Sequence, residues 1–178
     1  MLCGKGNNAG DGFVAAAYLA RRGVACKIAQ AVLVAAETLY RFDQLKSRHE
    51  EVRRPLRRLT LTVSRRSELN EAENTVPQAE AFAEGMHLAK DLGNLPPNVC
   101  TPSYHAEQAP ALAASNGMRC EVLEAADMEK LGMGALLAVA RGSVEPPKMI
   151  VLDYRGADAA AAPVVLIGKG VTLDTGGI

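Results

Sequence analysis

The sequence predicts an α/β chain, and three observations carry that prediction. From Thr101 onward, helix signals and short apolar runs alternate, the pattern of a sheet layered with helices. The run Val164-Val165-Leu166-Ile167 is continuously apolar, as expected of a strand buried on both faces. Near the start, a short apolar pair and a Gly/Asn-rich loop precede a stretch that reads as a helix.

In order along the chain, Leu2-Cys3 reads as a strand end, shorter than the usual length of about five residues. The loop Gly4-Lys-Gly-Asn-Asn-Ala-Gly-Asp-Gly12 follows. Asp11 can cap a helix over 12–22, with Arg21 and Arg22 complementing its dipole and Gly23 at its end. Residues 24–28 are expected to be a strand. Val32, Ala35, Ala36, Leu39, Phe42 and Leu45 recur at helical spacing, which predicts an amphipathic helix over 31–46. The charged stretch 48–58 contains Pro55 and reads as a surface loop. Leu59-Thr-Leu-Thr-Val63 alternates like a half-buried strand.

Residues 64–74 are polar, with a possible helix start at Ser67, and a long helix is expected over 77–92. It is closed by Gly93, Pro96 and Pro97. Thr101 as cap and Pro102 at the first helical position open a helix to about Ser115, stopped by Asn116-Gly117. Pro110 is a candidate kink. Strands are expected at 120–123, 135–140, 149–154 and 163–168, with a short helix over 126–131 that ends at Gly132.

Composition narrows the function. Twenty basic and twenty acidic side chains give zero net charge, so no general field draws nucleic acid or an anionic membrane. Arg53, Arg54, Arg57, Arg58, Arg65 and Arg66 form a local basic cluster without interleaved aromatics to stack on bases, so it reads as a solvated face. No apolar stretch is long enough to span a bilayer, and no secretion signal is expected at the N-terminus. Cys3, Cys26, Cys100 and Cys120 make no Cys-x-x-Cys pair, which fits reduced thiols in a cytoplasmic protein. His87 and His105 lack a histidine at i+4, so neither reads as a metal ligand.

The densest chemistry lies in Gly168-Lys-Gly-Val-Thr-Leu-Asp174. A strand that ends in a lysine and an aspartate delivers both where open α/β sheets place their sites. Two divalent ions sharing a water could use carboxylate ligands and a lysine held neutral. An ordinary loop ion pair would give the same spacing. The wider sequence resembles the leucyl aminopeptidase family, cytosolic metallopeptidases. The resemblance rests on Tyr40-Arg-Phe-Asp-Gln-Leu-Lys-Ser47, Lys90-Asp-Leu-Gly-Asn-Leu-Pro-Pro-Asn98 with Thr101-Pro102, and Leu131-Gly-Met-Gly-Ala-Leu-Leu-Ala-Val139. Arg141-Gly-Ser143, Pro146-Pro147 and Gly168-Lys-Gly-Val-Thr-Leu-Asp-Thr-Gly-Gly177 continue it in family order, so that it covers about 31–178.

The resemblance implies removal of N-terminal residues from peptides at a site holding two zinc, manganese or magnesium ions, with Lys169 and Asp174 as metal ligands. It implies an incomplete three-layer sheet with helices, a truncated aminopeptidase architecture, because the family's remaining ligands and catalytic groups lie downstream of Ile178. No complete catalytic set is therefore expected, nor turnover by this chain. The family is typically a homo-hexamer, and this chain is not expected to present the full interface.

The loop at 4–12 lacks the Gly-Lys-[Ser/Thr] of a Walker loop, but its glycines and the following helix could admit a phosphate. Residues 1–27 resemble the phosphate-binding loop of the NAD(P)H-hydrate epimerase family. That resemblance implies NAD(P)H hydrate and K+ at Asn7, Asn8, Gly10 and Asp11. The expected organisation is an epimerase-like piece at 1–30, the end of an aminopeptidase N-terminal α/β domain at 31–76, a linker helix and connector at 77–98, and the start of a catalytic domain at 99–178. A chimera joined near residues 29–32 accounts for both resemblances. A chain that binds a dinucleotide phosphate without catalysis is the alternative.

Overall fold

Alanine is the strongest helix former, and five alanines in sixteen residues make Val24–Leu39 a single helix, α1. The computed structural model describes residues 23–49, 56–158 and 160–170. The expected strand at 24–28 is therefore helix, and the expected helix over 31–46 begins earlier and ends earlier. The apolar spacing that suggested a helix from 31 extends back through Ile28, which is buried. Tyr40 ends α1 by turning to extended backbone, with its N–H still donating to the Ala36 carbonyl. Helix α1 runs unbroken through 29–32, so a join there would lie within one helix and not between two folded pieces.

The chain forms two compact units, Met1–Asp91 and Leu92–Ile178. In the first, a 3-10 turn at Arg66–Glu68 leads into α2, Leu69–Asn94. The Glu68 carboxylate accepts from the Arg65 N–H and satisfies one of the free donors at the helix start. Helix α2 begins well before the expected residue 77. Pro77 sits inside it, losing one helical hydrogen bond, while Glu71, Ala72 and Glu73 favour helix on its N-terminal side.

Residues 59–63, expected as a strand, have no ladder partner among the described residues. Alternation supplies a face, but a strand exists only with a neighbour to pair with. The two helices of this unit run in the same direction. The Ala36 carbonyl meets His87 and Tyr40 meets Asp91, each fifty-one positions on. Ile28 of α1 and Ala72, Ala79 and Ala83 of α2 are buried.

The second unit is a helix laid on a strand pair. Helix α3, Pro102–Ser115, has Thr101 as its cap, whose Oγ1 accepts from the Tyr104 N–H, and Pro102 at its start. It continues through Pro110. Gly117, at φ 64°, ends it, and the Met118 N–H donates to the Ala113 carbonyl in a Schellman closure.

Strand β1, Arg119–Leu123, pairs antiparallel with β2, Met149–Asp153, in the register Arg119↔Asp153 to Leu123↔Met149. Between them lie α4, Ala125–Lys130, and α5, Gly134–Ala140. Gly132, at φ 73°, closes α4 in the same way, with Met133 N–H on the Met128 carbonyl. Helix α3 packs on both strands, and Ala109, Ala113 and Met128 form the core; Met128 is 0% exposed.

Two strand expectations fail here. Residues 135–140 are α5, because a short run of Ala and Leu cannot be told from a strand by period, and these residues favour helix. Residues 163–168 carry no strand, and no neighbour pairs with them among the described residues. The class remains α/β, with its sheet reduced to two strands among the described residues.

Candidate functional site

Lys169 lies in the stretch 163–170, which has no regular structure, and its side chain is exposed. Just before it, Val164, Leu166 and Ile167 are 89%, 91% and 93% exposed. The glycines on either side of Lys169 have nothing within 4 Å of where a Cβ would stand. The ammonium is thus held by no wall of the described fold. Asp174, its expected partner, lies outside the described residues, as do Asn7, Asn8, Gly10 and Asp11 of the N-terminal loop. Among the described residues, no three His, Cys, Asp or Glu side chains converge on a point that could hold a metal ion. The described donors do not make up a metal site, and no hydrolytic step follows from them.

The segment that leads toward this region is well fastened. In the first unit the Tyr40 hydroxyl donates to Asp91 Oδ1 at 2.8 Å. Lys90 lies 4.8 Å over the Tyr40 ring and pairs with Glu37. His87 packs on Tyr40 with ring centroids 5.0 Å apart, and its Nε2 lies 3.2 Å from the Ala36 carbonyl. Tyr40 and the Lys90-Asp91 pair belong to two motifs that are far apart in sequence, and here they are one cluster. His87 thus packs between Tyr40 and the end of α1.

In the second unit, residues 96–100 make a tight turn in which Val99 and Cys100 N–H groups both donate to the Pro96 carbonyl. Cys100 is buried, and its Sγ lies 3.2 Å from His105 Nε2. Burial pushes the Cys100 thiol up. Cys100 precedes the cap and His105 is the fourth helical residue, the two positions that pack together to fix a helix entry. Ser103 Oγ reaches Glu145 at 3.5 Å and ties α3 to the loop before β2. Lys148 donates to both oxygens of Glu124, at 2.6 Å and 2.5 Å, linking that loop to α4. The Lys130 ammonium, with the Glu124 N–H, holds the Asp127 carboxyl below the usual carboxylate range.

Sequence reasoning missed Arg119, Asp153 and Arg155. Antiparallel register sets Arg119 opposite Asp153, and Arg155 lies two residues beyond. The signal was present as opposite charges at the ends of two expected strands, but it becomes a pair only once the strands are known to be antiparallel neighbours.

Comparison with known proteins places these elements. A family profile described as "Cytosol aminopeptidase family, catalytic domain" matches residues 87–178. A second, "YjeF-related protein N-terminus", matches residues 1–99. A probable cytosol aminopeptidase of Dechloromonas aromatica is 57% identical over 158 residues, 89% of this chain and 32% of the relative. One of Methylobacillus flagellatus is 51% identical over 158 residues, again 89% of this chain and 32% of the relative. The chain therefore spans about a third of the length of the curated relatives it matches. Among solved structures, the bottromycin maturation enzyme BotP in complex with Mn superposes with a TM-score of 0.62 at 32% identity, over 75% of this chain and 26% of that one.

Proposed function

Because the chain belongs to the cytosol aminopeptidase family over 87–178 and to the YjeF-related N-terminal family over 1–99, we propose that it carries part of a metal-dependent aminopeptidase. In this reading α2 and the turn at 96–100 are a linker, residues 99–178 begin a catalytic domain, and Lys169 and Asp174 are two of its metal ligands. The observation that carries the reading is the catalytic-domain match, which runs through both residues. The Mn-bound relative supports manganese as the ion, with zinc as the other candidate. Peptides are the substrate class that family membership implies, and the cytoplasm is the compartment. Among the described residues no helix is long and apolar enough to cross a membrane.

Lys169 and Asp174 offer one amine and one carboxylate, fewer donors than two divalent ions need to be held and still keep positions open. The chain is expected to bind such ions weakly and to hydrolyse nothing alone. Residues 31–76 are the end of an N-terminal domain in the same reading. In the same reading the loop at 4–12, with Asn7, Asn8, Gly10 and Asp11, is a candidate phosphate-binding element, a role the second family match supports.

Manganese binding tests the ligand assignment. A chain extended to the length of its relatives should bind Mn2+ tightly by electron paramagnetic resonance, and Lys169→Ala or Asp174→Ala should each weaken that binding. Tight binding unchanged by both substitutions refutes the assignment.

A further inference from the structure

A concave surface built from charged side chains lies at the open end of the strand pair. Gly117, Arg119, Asp153 and Arg155 line a cleft of about 300 Å³. Arg119 Nη2 donates to Asp153 Oδ2 at 3.0 Å. Arg155 donates to the same oxygen through Nη2 at 3.0 Å, and its Nε lies 3.1 Å from that oxygen and 2.9 Å from Oδ1. One carboxylate thus receives three N–H groups from two guanidiniums. The trio carries one net positive charge, in a chain whose total charge is zero.

The geometry leaves work for the arginines to do. A guanidinium has five N–H donors. Arg155 uses Nε and Nη2 and Arg119 uses Nη2, so Nη1 of both and Nε of Arg119 have no acceptor among the described residues. Both side chains are 80% exposed, while Asp153 is 25% exposed. The carboxylate is the sheltered anchor, and the guanidiniums are its reachable arms. Gly117, held at φ 64° by the helix closure, has nothing within 4 Å of the place a Cβ would occupy, so no side chain fills the mouth.

We infer that this cleft binds a tetrahedral phosphate dianion, gripped between the free N–H edges of Arg119 and Arg155 with Asp153 orienting both. Planar forks match phosphate oxygens in pairs, which an ammonium cannot do. Exposed charge alone is screened by salt, so recognition here depends on fork geometry more than on field. The source is a free phosphate ion or the phosphate of a small phosphomonoester, which share this chemistry.

The test is a titration of the full chain, followed by the side-chain N–H resonances of its arginines in 15N NMR. The probes are inorganic phosphate and glycerol phosphate, with acetate as the planar control. Saturable shifts at Arg119 and Arg155 with either phosphate probe, and much weaker binding of the singly charged acetate, are expected. Arg155→Lys keeps the charge on an exposed position and should weaken phosphate about tenfold, the scale of one charged hydrogen bond. Arg66→Lys, remote in sequence and in the other unit, should leave binding unchanged. Tighter binding of the ester assigns the site to a phosphorylated metabolite, and tighter binding of the ion assigns it to free phosphate. Absence of saturation, equal shifts with acetate, or unchanged affinity in Arg155→Lys overturns the inference.

Discussion

Two apolar stretches of the second unit meet opposite fates. Helix α3 and the strand pair cover one another and α4 lies against β1, with Ala113 of α3 and Met128 of α4 almost wholly withdrawn from water. The stretch 163–170 contains an equally apolar run, yet Val164, Leu166 and Ile167 stand in solvent. The difference is not composition. A helix closes its own hydrogen bonds and needs only a face to rest on, whereas a strand needs a neighbour for every N–H and C=O. Helix α3 lies close in sequence to β1, and β2 is held by register. For 163–168 the described residues offer no third strand.

That contrast reaches function, because Lys169 follows the uncovered run. A metal ligand is useful only when its support fixes it within a fraction of an ångström. In the proposed reading Lys169 is a candidate ligand, and among the described residues its side chain is exposed.

The largest expected effect compares the two stretches directly. Met128→Ala should destabilise the second unit by about 2–5 kcal/mol in thermal or urea unfolding, since it empties a fully buried position. Leu166→Ala should change stability by less than about 0.5 kcal/mol, as expected for an exposed side chain. Equal losses for the pair would break the comparison. Removing the α3 cap by Thr101→Ala should cost about 1 kcal/mol, measured in the same way.

In the first unit, Tyr40→Phe deletes the hydroxyl on Asp91 while keeping the ring under Lys90. It should cost about 1 kcal/mol. A subtler effect concerns acid. The Arg155 guanidinium, with Arg119, holds the Asp153 carboxyl below the usual carboxylate range. A lowered folded-state pKa contributes stability above the ordinary value of about 3.9, and that contribution fades as pH falls through the lowered one. Because the site is open to solvent the change should be small. It can be followed as the chemical shift of the Asp153 side chain, which should titrate below its value in Arg155→Lys.

Local signals were legible in the sequence. Thr101 with Pro102, Asn116-Gly117 and Gly132 each marked a helix boundary, because a cap or a positive φ depends on only a few consecutive residues. Strands β1 and β2 were legible as short apolar runs next to turns. What failed was the identity of apolar runs whose fate depends on remote partners: 24–28 and 135–140 became helix, and 59–63 and 163–168 pair with no strand among the described residues. The family motifs were also readable, and Tyr40 with Asp91 shows one physical use of two of them. Contacts such as Arg119 with Asp153 were not readable, since they arise only from the antiparallel register.

The proposed reading gives these 178 residues two ligands, Lys169 and Asp174, of an aminopeptidase metal centre that needs further donors. Release of p-nitroaniline from leucine p-nitroanilide with added Mn2+ tests it most directly. The measurement would compare this chain with one extended to the full length of its relatives. The account predicts no turnover by the chain as it stands, turnover by the extended chain, and loss of that turnover in extended Lys169→Ala. Hydrolysis by the 178-residue chain that is abolished by a chelator, or full activity in extended Lys169→Ala, would contradict it.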